Sequence, residues 1–438
     1  MATSRKHLPP VPAVGGATAR RRLPRPAALA AVSTALVLIG AAAGAPAPLY
    51  GVYQQRFGIT DADLTASLAS YIIPAAIGLL MVGRLSNHLG RRPVSLLSLA
   101  FGIAGLLVLA GVDGIGLLLA GRALQGCATG LAMSAVAAYV TDLDPPRQAG
   151  VPGRVATAIT SGGAVGGLAL GAVISGAIVQ YGSDPRHLVY YVFAAALAVC
   201  GAGIFFSPET SPRLPGAVAS LSPAVHIPVA VRVLFAGASA IFVACWALAG
   251  FYQALAPSLS AVELGHAGSL FAGFAVAALV GPSAVGGPLT AGLRPRTAMI
   301  GGSVILSLAV VGVLAAVAVH SVPGFFAASI IAGLAFGAAF HGGMRTLLGG
   351  LAHAERAGLL SGIYLFSYLG AAIPAFIAGE LVSSLGLSTV TRSYGGLVIA
   401  LALAAIVIVT LTARRQIAPR PNGSDPGRLR CVEEIADR

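Results

Sequence analysis

Few side chains in this chain are equipped for chemistry, and their placement is informative. Arg122, in the run Arg122-Ala123-Leu124-Gln125-Gly126, is the one arginine set inside a long apolar stretch. A charge in such a setting is costly and normally faces a cavity or a partner. The competing reading is snorkelling, because Arg122 lies only about 10 Å in from Ile115 at ~1.5 Å per helical residue. His341, near the end of another apolar stretch, belongs to the side-chain type that changes charge near neutral pH. Interfacial placement is the bland alternative for it. Asp61, Asp63, Asp113, Asp142, Glu263 and Glu380 fall in loops or near the ends of apolar stretches, so no acid stands clearly in the middle of one. No HExxH pair and no GxxxxGK[ST] loop occurs, which argues against zinc hydrolysis and ATP-driven pumping. Cys127, Cys200, Cys245 and Cys431 show no CxxC spacing, so neither a metal site nor a disulfide framework is indicated.

The elements that must carry these residues are apolar. The chain is 57% hydrophobic and 9% charged, whereas a soluble domain carries about 25% charged residues. Twelve stretches are long enough to cross a bilayer, which takes roughly 20 apolar residues as a helix. They are expected near 27–50, 64–82, 94–112, 115–140, 155–180, 188–206, 229–254, 268–291, 298–319, 323–342, 357–381 and 393–412. The first is too long for the apolar core of a cleaved signal peptide. The net charge of +13 does not indicate nucleic acid, since the arginines are dealt out between apolar segments and not clustered among aromatics.

Sidedness follows from those arginines. With the N-terminus placed inside, one side holds only Arg56, Arg186 and Arg392, and Arg122 lies within a span. The remainder of the 27 basic residues fall on the cytoplasmic side. This positive-inside bias puts both termini in the cytoplasm and the chain in the cell membrane.

Sliding the chain on itself by 203 residues brings Arg91 onto Arg294, Gly83 onto Gly286, Gly130-Leu131-Ala132 onto Gly333-Leu334-Ala335, Gly167 onto Gly370 and Gly176 onto Gly379. Two parallel six-helix halves explain one offset serving several helix pairs, with a binding site expected between them near the midplane. The expected organisation is a disordered cytoplasmic N-terminus (1–26), a first bundle (27–206), a proline-rich cytoplasmic linker (207–228), a second bundle (229–412) and a cytoplasmic tail (413–438).

Between the second and third spans stands Gly83-Arg84-Leu85-Ser86-Asn87-His88-Leu89-Gly90-Arg91-Arg92-Pro93. This resembles the signature loop of the major facilitator superfamily: a glycine, an acid four residues on, then Gly-Arg-Lys/Arg. The resemblance extends over residues 27 to 412. It implies an all-α integral membrane protein of twelve transmembrane helices in two pseudo-symmetric bundles, and a cytoplasmic gate formed by Gly83, Asn87, Gly90, Arg91 and Arg92. Asn87 stands where the family has aspartate, which removes a charge. Arg91 is then expected to pair with Asp142 at the end of the fourth span.

The Arg122, Gln125 and Gly130 pattern is similar to the fourth-helix motif of proton-coupled members. Gly163, Gly167 and Gly171 at four-residue spacing, followed by Ser175-Gly176, are similar to the fifth-helix motif of drug:proton antiporters. Ala172 replaces that motif's proline and Ser175 its first closing glycine. The small stripe should pack closely on a neighbouring helix. The resemblance implies that spans one, four, seven and ten line a central cavity. Candidate lining residues are Tyr50, Gln125, Trp246, Tyr252 and Gln253, with Tyr71 and Tyr364 as further wall residues. Pro46 and Pro48 should bend or unwind the first span and expose carbonyls.

The expected function is secondary active transport by alternating access, as proton-coupled efflux of small hydrophobic or drug-like molecules. The alternative is a metabolite (sugar or organic acid) importer or facilitator. Arg122, Gln125 and His341 are the proton-coupling candidates. The expected partners are a small-molecule substrate, protons and the lipid bilayer. The chain is expected to act as a monomer, to be no enzyme, and to need neither cofactor, metal nor nucleic acid.

The topology has a direct check. In a cysteine-free background, Ser4→Cys should react with an impermeant maleimide only after the membrane is opened, and Ser183→Cys in intact cells. The reverse pattern would invert the assigned sidedness.

Overall fold

Apolar runs of this length become helices because, in hydrocarbon, each backbone N–H and C=O must find its partner within its own segment. The computed structural model describes residues 22–82, 85–146, 153–211, 215, 227–228, 231–349, 351 and 353–417. Gly83 of the signature loop lies outside the described residues, as do 1–21, most of the expected linker and the tail from 418.

Twelve helices are long and apolar enough to cross a membrane. They are α1 (Arg25–Phe57), α2 (Asp61–Met81), α3 (Arg91–Ala110), α4 (Ile115–Leu143), α5 (Arg154–Tyr181) and α6 (Pro185–Phe205), then α7 (Arg232–Ala254), α8 (Ser269–Leu289), α9 (Pro295–Ala318), α10 (Val322–Leu348), α11 (Gly358–Leu385) and α12 (Leu387–Thr412). Each expected span overlaps one of these with most ends agreeing to about four residues, but α1 runs on to Phe57 beyond its break, α10 ends at Leu348 where 342 was expected, and α12 begins at Leu387 where 393 was expected. Successive helices cross in alternation, so α1 begins and α12 ends at one face, called here the terminal face.

The packing pattern repeats six helices on. In the first half α1 packs on α5 and α6, α2 on α4, and α3 on α4 and α6. In the second half α7 packs on α11 and α12, α8 on α10, and α9 on α10 and α12. The halves meet through α2 with α11 and α5 with α8, a pair of seams that exchange under the same relation. The twelve helices therefore form two pseudo-symmetric six-helix bundles.

The glycines matched by the 203-residue offset explain why. Gly130 packs against the Ala75 carbonyl of α2, and Gly333 against the Leu279 carbonyl of α8. Gly167 meets Val37 of α1, and Gly370 meets Val243 of α7. Gly176 and Gly379 face the opposite half, at Ser269 and Thr65. Small residues at such crossings let backbones approach to where dispersion and carbonyl contacts hold helices together, the driving force available in lipid. Of the expected stripe on α5, Gly167 and Gly171 make the closest approach: a Cβ there would stand 2.1 Å from the Val37 oxygen and 2.0 Å from the Ala41 oxygen. Gly163 is looser, with side-chain methyls of Ile159 and Val37 as its nearest neighbours.

Two helices of the first half carry π-helical turns, Ala132–Val136 in α4 and Ile159–Gly163 in α5. Such turns insert a residue, disturb the regular ladder and are frequent at functional sites.

The α1–α5 seam yields a contrast. Gly171→Ala should destabilise the folded protein by about 1–3 kcal/mol, as overpacking does. Gly166→Ala, where a Cβ meets open space, should be neutral. Thermal melting of the detergent-purified variants measures the difference, and equal stabilities would contradict the packing.

Candidate functional site

Four helices from each half enclose a cavity of about 430 Å³. They are α1, α2, α4 and α5 from the first half and α7, α8, α10 and α11 from the second, leaving α3, α6, α9 and α12 outside. The lining thus adds α5 and α8 to spans one, four, seven and ten and to the walls expected at Tyr71 of span two and Tyr364 of span eleven. It reaches the terminal face at Thr141 and Thr157, both exposed and within a turn of the ends of α4 and α5.

Of the candidate lining residues, Tyr71, Trp246, Gln253 and Tyr364 line the cavity, and so does His341. Tyr50 and Tyr252 do not. Each is buried inside its own half, where Tyr50 shares a hydrogen bond with Ser67 and Tyr252 one of 2.6 Å with Ser329. In a close-packed bundle a tyrosine hydroxyl needs a partner, and here neighbouring helices supply it. The sequence reading missed Thr157, Thr160 and Ser161 on α5 and Phe336, Phe340 and Tyr368 on α10 and α11. The signal available for α5 is its polar run, Thr157, Thr160 and Ser161, at the start of the expected span 155–180.

Gln125 also leaves the cavity set, and its true place explains Arg122. The helix of α1 stops at Gly44, passes through a turn and the 3₁₀ segment Ala47–Leu49, and resumes at Tyr50. Pro46 has no N–H to give the Ala42 carbonyl, and the Leu49 N–H bonds to Pro46 instead of Ala45. These carbonyls are claimed from outside. Gln125 Nε2 donates to Ala42 at 2.8 Å, Arg122 Nη1 to Ala43 at 2.9 Å, and Ser175 Oγ to Ala45 at 2.6 Å. Arg122 also donates to Gln125 Oε1 at 2.8 Å, and its guanidinium lies 4.4 Å from the centre of the Tyr71 ring. At 2% exposure Arg122 does not snorkel. The Tyr71 ring separates it from the cavity, with the Tyr71 hydroxyl donating to Thr129.

At the terminal face Arg91 Nε lies 3.0 Å from Asp142 Oδ2, the expected pair, and Arg91 also donates to Ser86. The charge that Asn87 lacks is supplied by Glu209, just after α6. Its carboxylate accepts the Arg91 and Arg92 backbone N–H groups at 2.8 and 3.3 Å, capping the start of α3. Gly90, at φ +113°, makes room, since a Cβ there would stand 2.5 Å from Glu209 Oε2. Asn87 contributes its backbone carbonyl, which accepts from Ser211. In the second half Arg345, 203 residues after Asp142, holds the end of α8 through the carbonyls of Ala291 at 2.7 Å and Thr290 at 3.0 Å.

The opposite face carries hydrogen bonds between the halves. Ser258, on the short helix Ala256–Val262 after α7, donates to Asp61 Oδ1 at 2.6 Å. Gln54 donates to the same carboxylate oxygen at 2.9 Å and reaches Ser258 at 3.4 Å. On the other seam Gln180 of α5 accepts the Leu270 N–H of α8 at 3.2 Å.

Comparison with known proteins agrees with this architecture. Residues 32–373 match the profile of the Major Facilitator Superfamily. Over 146 residues the chain is 32% identical to the proton myo-inositol cotransporter of Homo sapiens, covering 33% of this chain and 22% of that protein. Over 126 residues it is 34% identical to an MFS-type transporter of Aspergillus terreus, covering 28% and 21%. The chain matches only about a fifth of the length of these curated relatives. The crystal structure of a mutant of the nucleoside transporter NupG superposes with a TM-score of 0.66 at 16% identity, over 87% of this chain and 99% of that one. That likeness is one of fold.

The Asp61 cluster generates a prediction. In a cysteine-free background, Thr65→Cys, buried under Gly379 at the α2–α11 seam, should label slowly from the opposite face. Adding Asp61→Asn and Ser258→Ala should raise that rate several-fold. An unchanged rate would mean the cluster does not hold the face shut.

Proposed function

The chain belongs to the Major Facilitator Superfamily, and from that premise we propose that it moves a small uncharged metabolite across a membrane by alternating access. The observation that carries this reading is the cavity between the halves. Its described lining holds no aspartate, glutamate, lysine or arginine. The guanidinium behind Tyr71 disfavours a cation against the first half, and no lysine or arginine among the described lining residues pairs with an organic anion. Sugar-like solutes therefore stand ahead of organic acids. The partial similarity to an inositol cotransporter points the same way.

Proton-driven efflux of drug-like molecules is the second reading. It is favoured by the aromatic walls and by the Arg122–Gln125 pair. Ser175 weighs against it, because its hydroxyl serves the α1 break where the antiporter motif has glycine. We assign Arg122 and Gln125 to holding α1 in its broken form, and proton coupling to His341, the one histidine among the described lining residues. We assign the Arg91–Asp142 and Glu209 contacts to the cytoplasmic gate, by the positive-inside bias.

Reconstituted vesicles test the assignment. An imposed pH gradient should accelerate myo-inositol or glucose uptake several-fold. His341→Gln should keep solute exchange and lose the acceleration. Arg122→Ala should insert normally and lose transport. Wild-type transport by Arg122→Ala would remove its role, and transport of lipophilic dyes in place of polyols would favour the second reading.

A further inference from the structure

The two walls of the cavity differ in what they offer a hydrogen-bonding solute. Of the five lining hydroxyls on α4 and α5, four have their protons committed to carbonyls of the same helix, and the fifth, Thr129, accepts from the Tyr71 hydroxyl. Thr141 donates to Ala137 at 3.1 Å, Thr157 to Gly153 at 2.8 Å, Thr160 to Ala156 at 2.6 Å and Ser161 to Thr157 at 2.6 Å. Donation to the carbonyl four residues back is the usual local bond of Ser and Thr within a helix. A hydroxyl has one proton and two lone pairs. With the proton spent, all four present only acceptors.

Across the cavity, α7, α10 and α11 supply ring faces and donors. Trp246, Phe340 and Tyr368 form an edge-to-face cluster, with ring centres 6.3 Å apart for Trp246–Phe340 and 5.3 Å for Trp246–Tyr368. Trp246 Nε1 is buried without a hydrogen-bond partner among the described residues. His341 donates from Nδ1 to the Gly337 carbonyl at 2.9 Å, which leaves Nε2 of the neutral ring as an acceptor.

We propose that this cavity selects uncharged ring compounds bearing hydroxyl or N–H donors along one edge, that edge docking on α4 and α5 and the ring face on the aromatic wall. The assignment rests on the cavity being the transport site. It follows from matching unlike walls. A solute without donors leaves a row of desolvated oxygens unpaired, whereas a donor edge satisfies them, and such polar mismatch is what gives a pocket its discrimination. The ring face then stacks against Trp246 and Tyr368 in the manner of aromatic contacts.

Trp246 is the single tryptophan of the chain, so its emission reports on the cavity. The purified protein in lipid nanodiscs is titrated with two matched pairs: myo-inositol against its hexamethyl ether, and resorcinol against its dimethyl ether. In at least one pair the hydroxylated member should shift Trp246 emission with at least tenfold tighter affinity. The combination Thr157→Val, Thr160→Val and Ser161→Ala should bring that ratio to within about twofold while leaving the ether's own affinity near its wild-type value, since three modest hydrogen bonds are removed. Should the triple variant fail to insert, Ser161→Ala alone should lower the ratio by a smaller step. Ethers binding as tightly as their parents, or a ratio that survives the variants, overturns the donor-edge proposal and leaves the cavity as a binding site. No response of Trp246 to any of the four compounds overturns the cavity reading itself, and the proposal with it.

Discussion

The break in α1 is the constraint on which the first half is built. Pro46 and Pro48 remove two N–H groups from a helix that has no water to replace them. A backbone carbonyl left unpaired in hydrocarbon costs several kcal/mol. The carbonyls of Ala42, Ala43 and Ala45 are instead taken by Gln125 and Arg122 of α4 and Ser175 of α5. One backbone defect therefore joins three helices by charge-assisted and neutral hydrogen bonds. It also accounts for an arginine that is 2% exposed. The groups that hold its charge are carbonyl dipoles, an amide oxygen and a ring face, each of which keeps it where a carboxylate would otherwise be needed. Because the Tyr71 ring lies between that charge and the cavity, the same arrangement shapes the wall and sets its electrostatic preference.

The two halves repeat their geometry without repeating their chemistry. Asp142 and Arg345 occupy matching positions 203 residues apart at the terminal face. One pairs with the arginine that opens α3; the other, of reversed charge, grips the carbonyl end of α8. The negative pole of a helix C-terminus makes that exchange possible. The link from the fourth helix of each half to the loop after its second helix is kept in both, while the charge at the face changes sign. The cavity follows suit, with hydroxyl acceptors on the first half and rings on the second.

Much of this was legible in the sequence because membrane helices leave little choice. The twelve spans follow from the lengths of the apolar runs, and the duplication from glycines that match at one offset. Particular side chains were readable where a buried charge or a missing N–H forces a partner, as with Arg122 and the Pro46–Pro48 break, or where two charges flank one face, as with Arg91 and Asp142. The site was less legible. Tyr50 and Tyr252 look like cavity residues by helix number, but the face of the helix they occupy depends on where α1 breaks and how α7 rotates against α10. The hydroxyls of α5 were hidden for a different reason. Thr160 and Ser161 lie within the π-helical turn Ile159–Gly163 and Thr157 just before it, and no periodicity rule anticipates such a turn. Glu209 was invisible because its partners, the first N–H groups of α3, lie more than a hundred residues away.

The proposed rocking of the halves makes an energetic demand that this architecture meets. Near the opposite face the seams are built on glycine: Gly176 and Gly273 meet the backbone at Ser269 and Ala172, and Gly379 meets the short side chain of Thr65. Such surfaces slide or part without unlocking interdigitated side chains. Among the described residues the hydrogen bonds that cross there are Ser258 to Asp61, Gln54 to Ser258 and Leu270 to Gln180. At roughly 0.5–1.5 kcal/mol net for each hydrogen bond, opening that face gives up only a few kcal/mol of polar contact. That is the scale on which a minor conformation stays populated enough for a solute to select. Within the first half, by contrast, parting α1 from α4 and α5 would strand three carbonyls and a guanidinium in hydrocarbon at several kcal/mol apiece. The difference decides where the molecule yields. In the proposed rocking, motion falls on the two seams between the bundles, and the first bundle moves as a unit because the break in α1 is stapled shut.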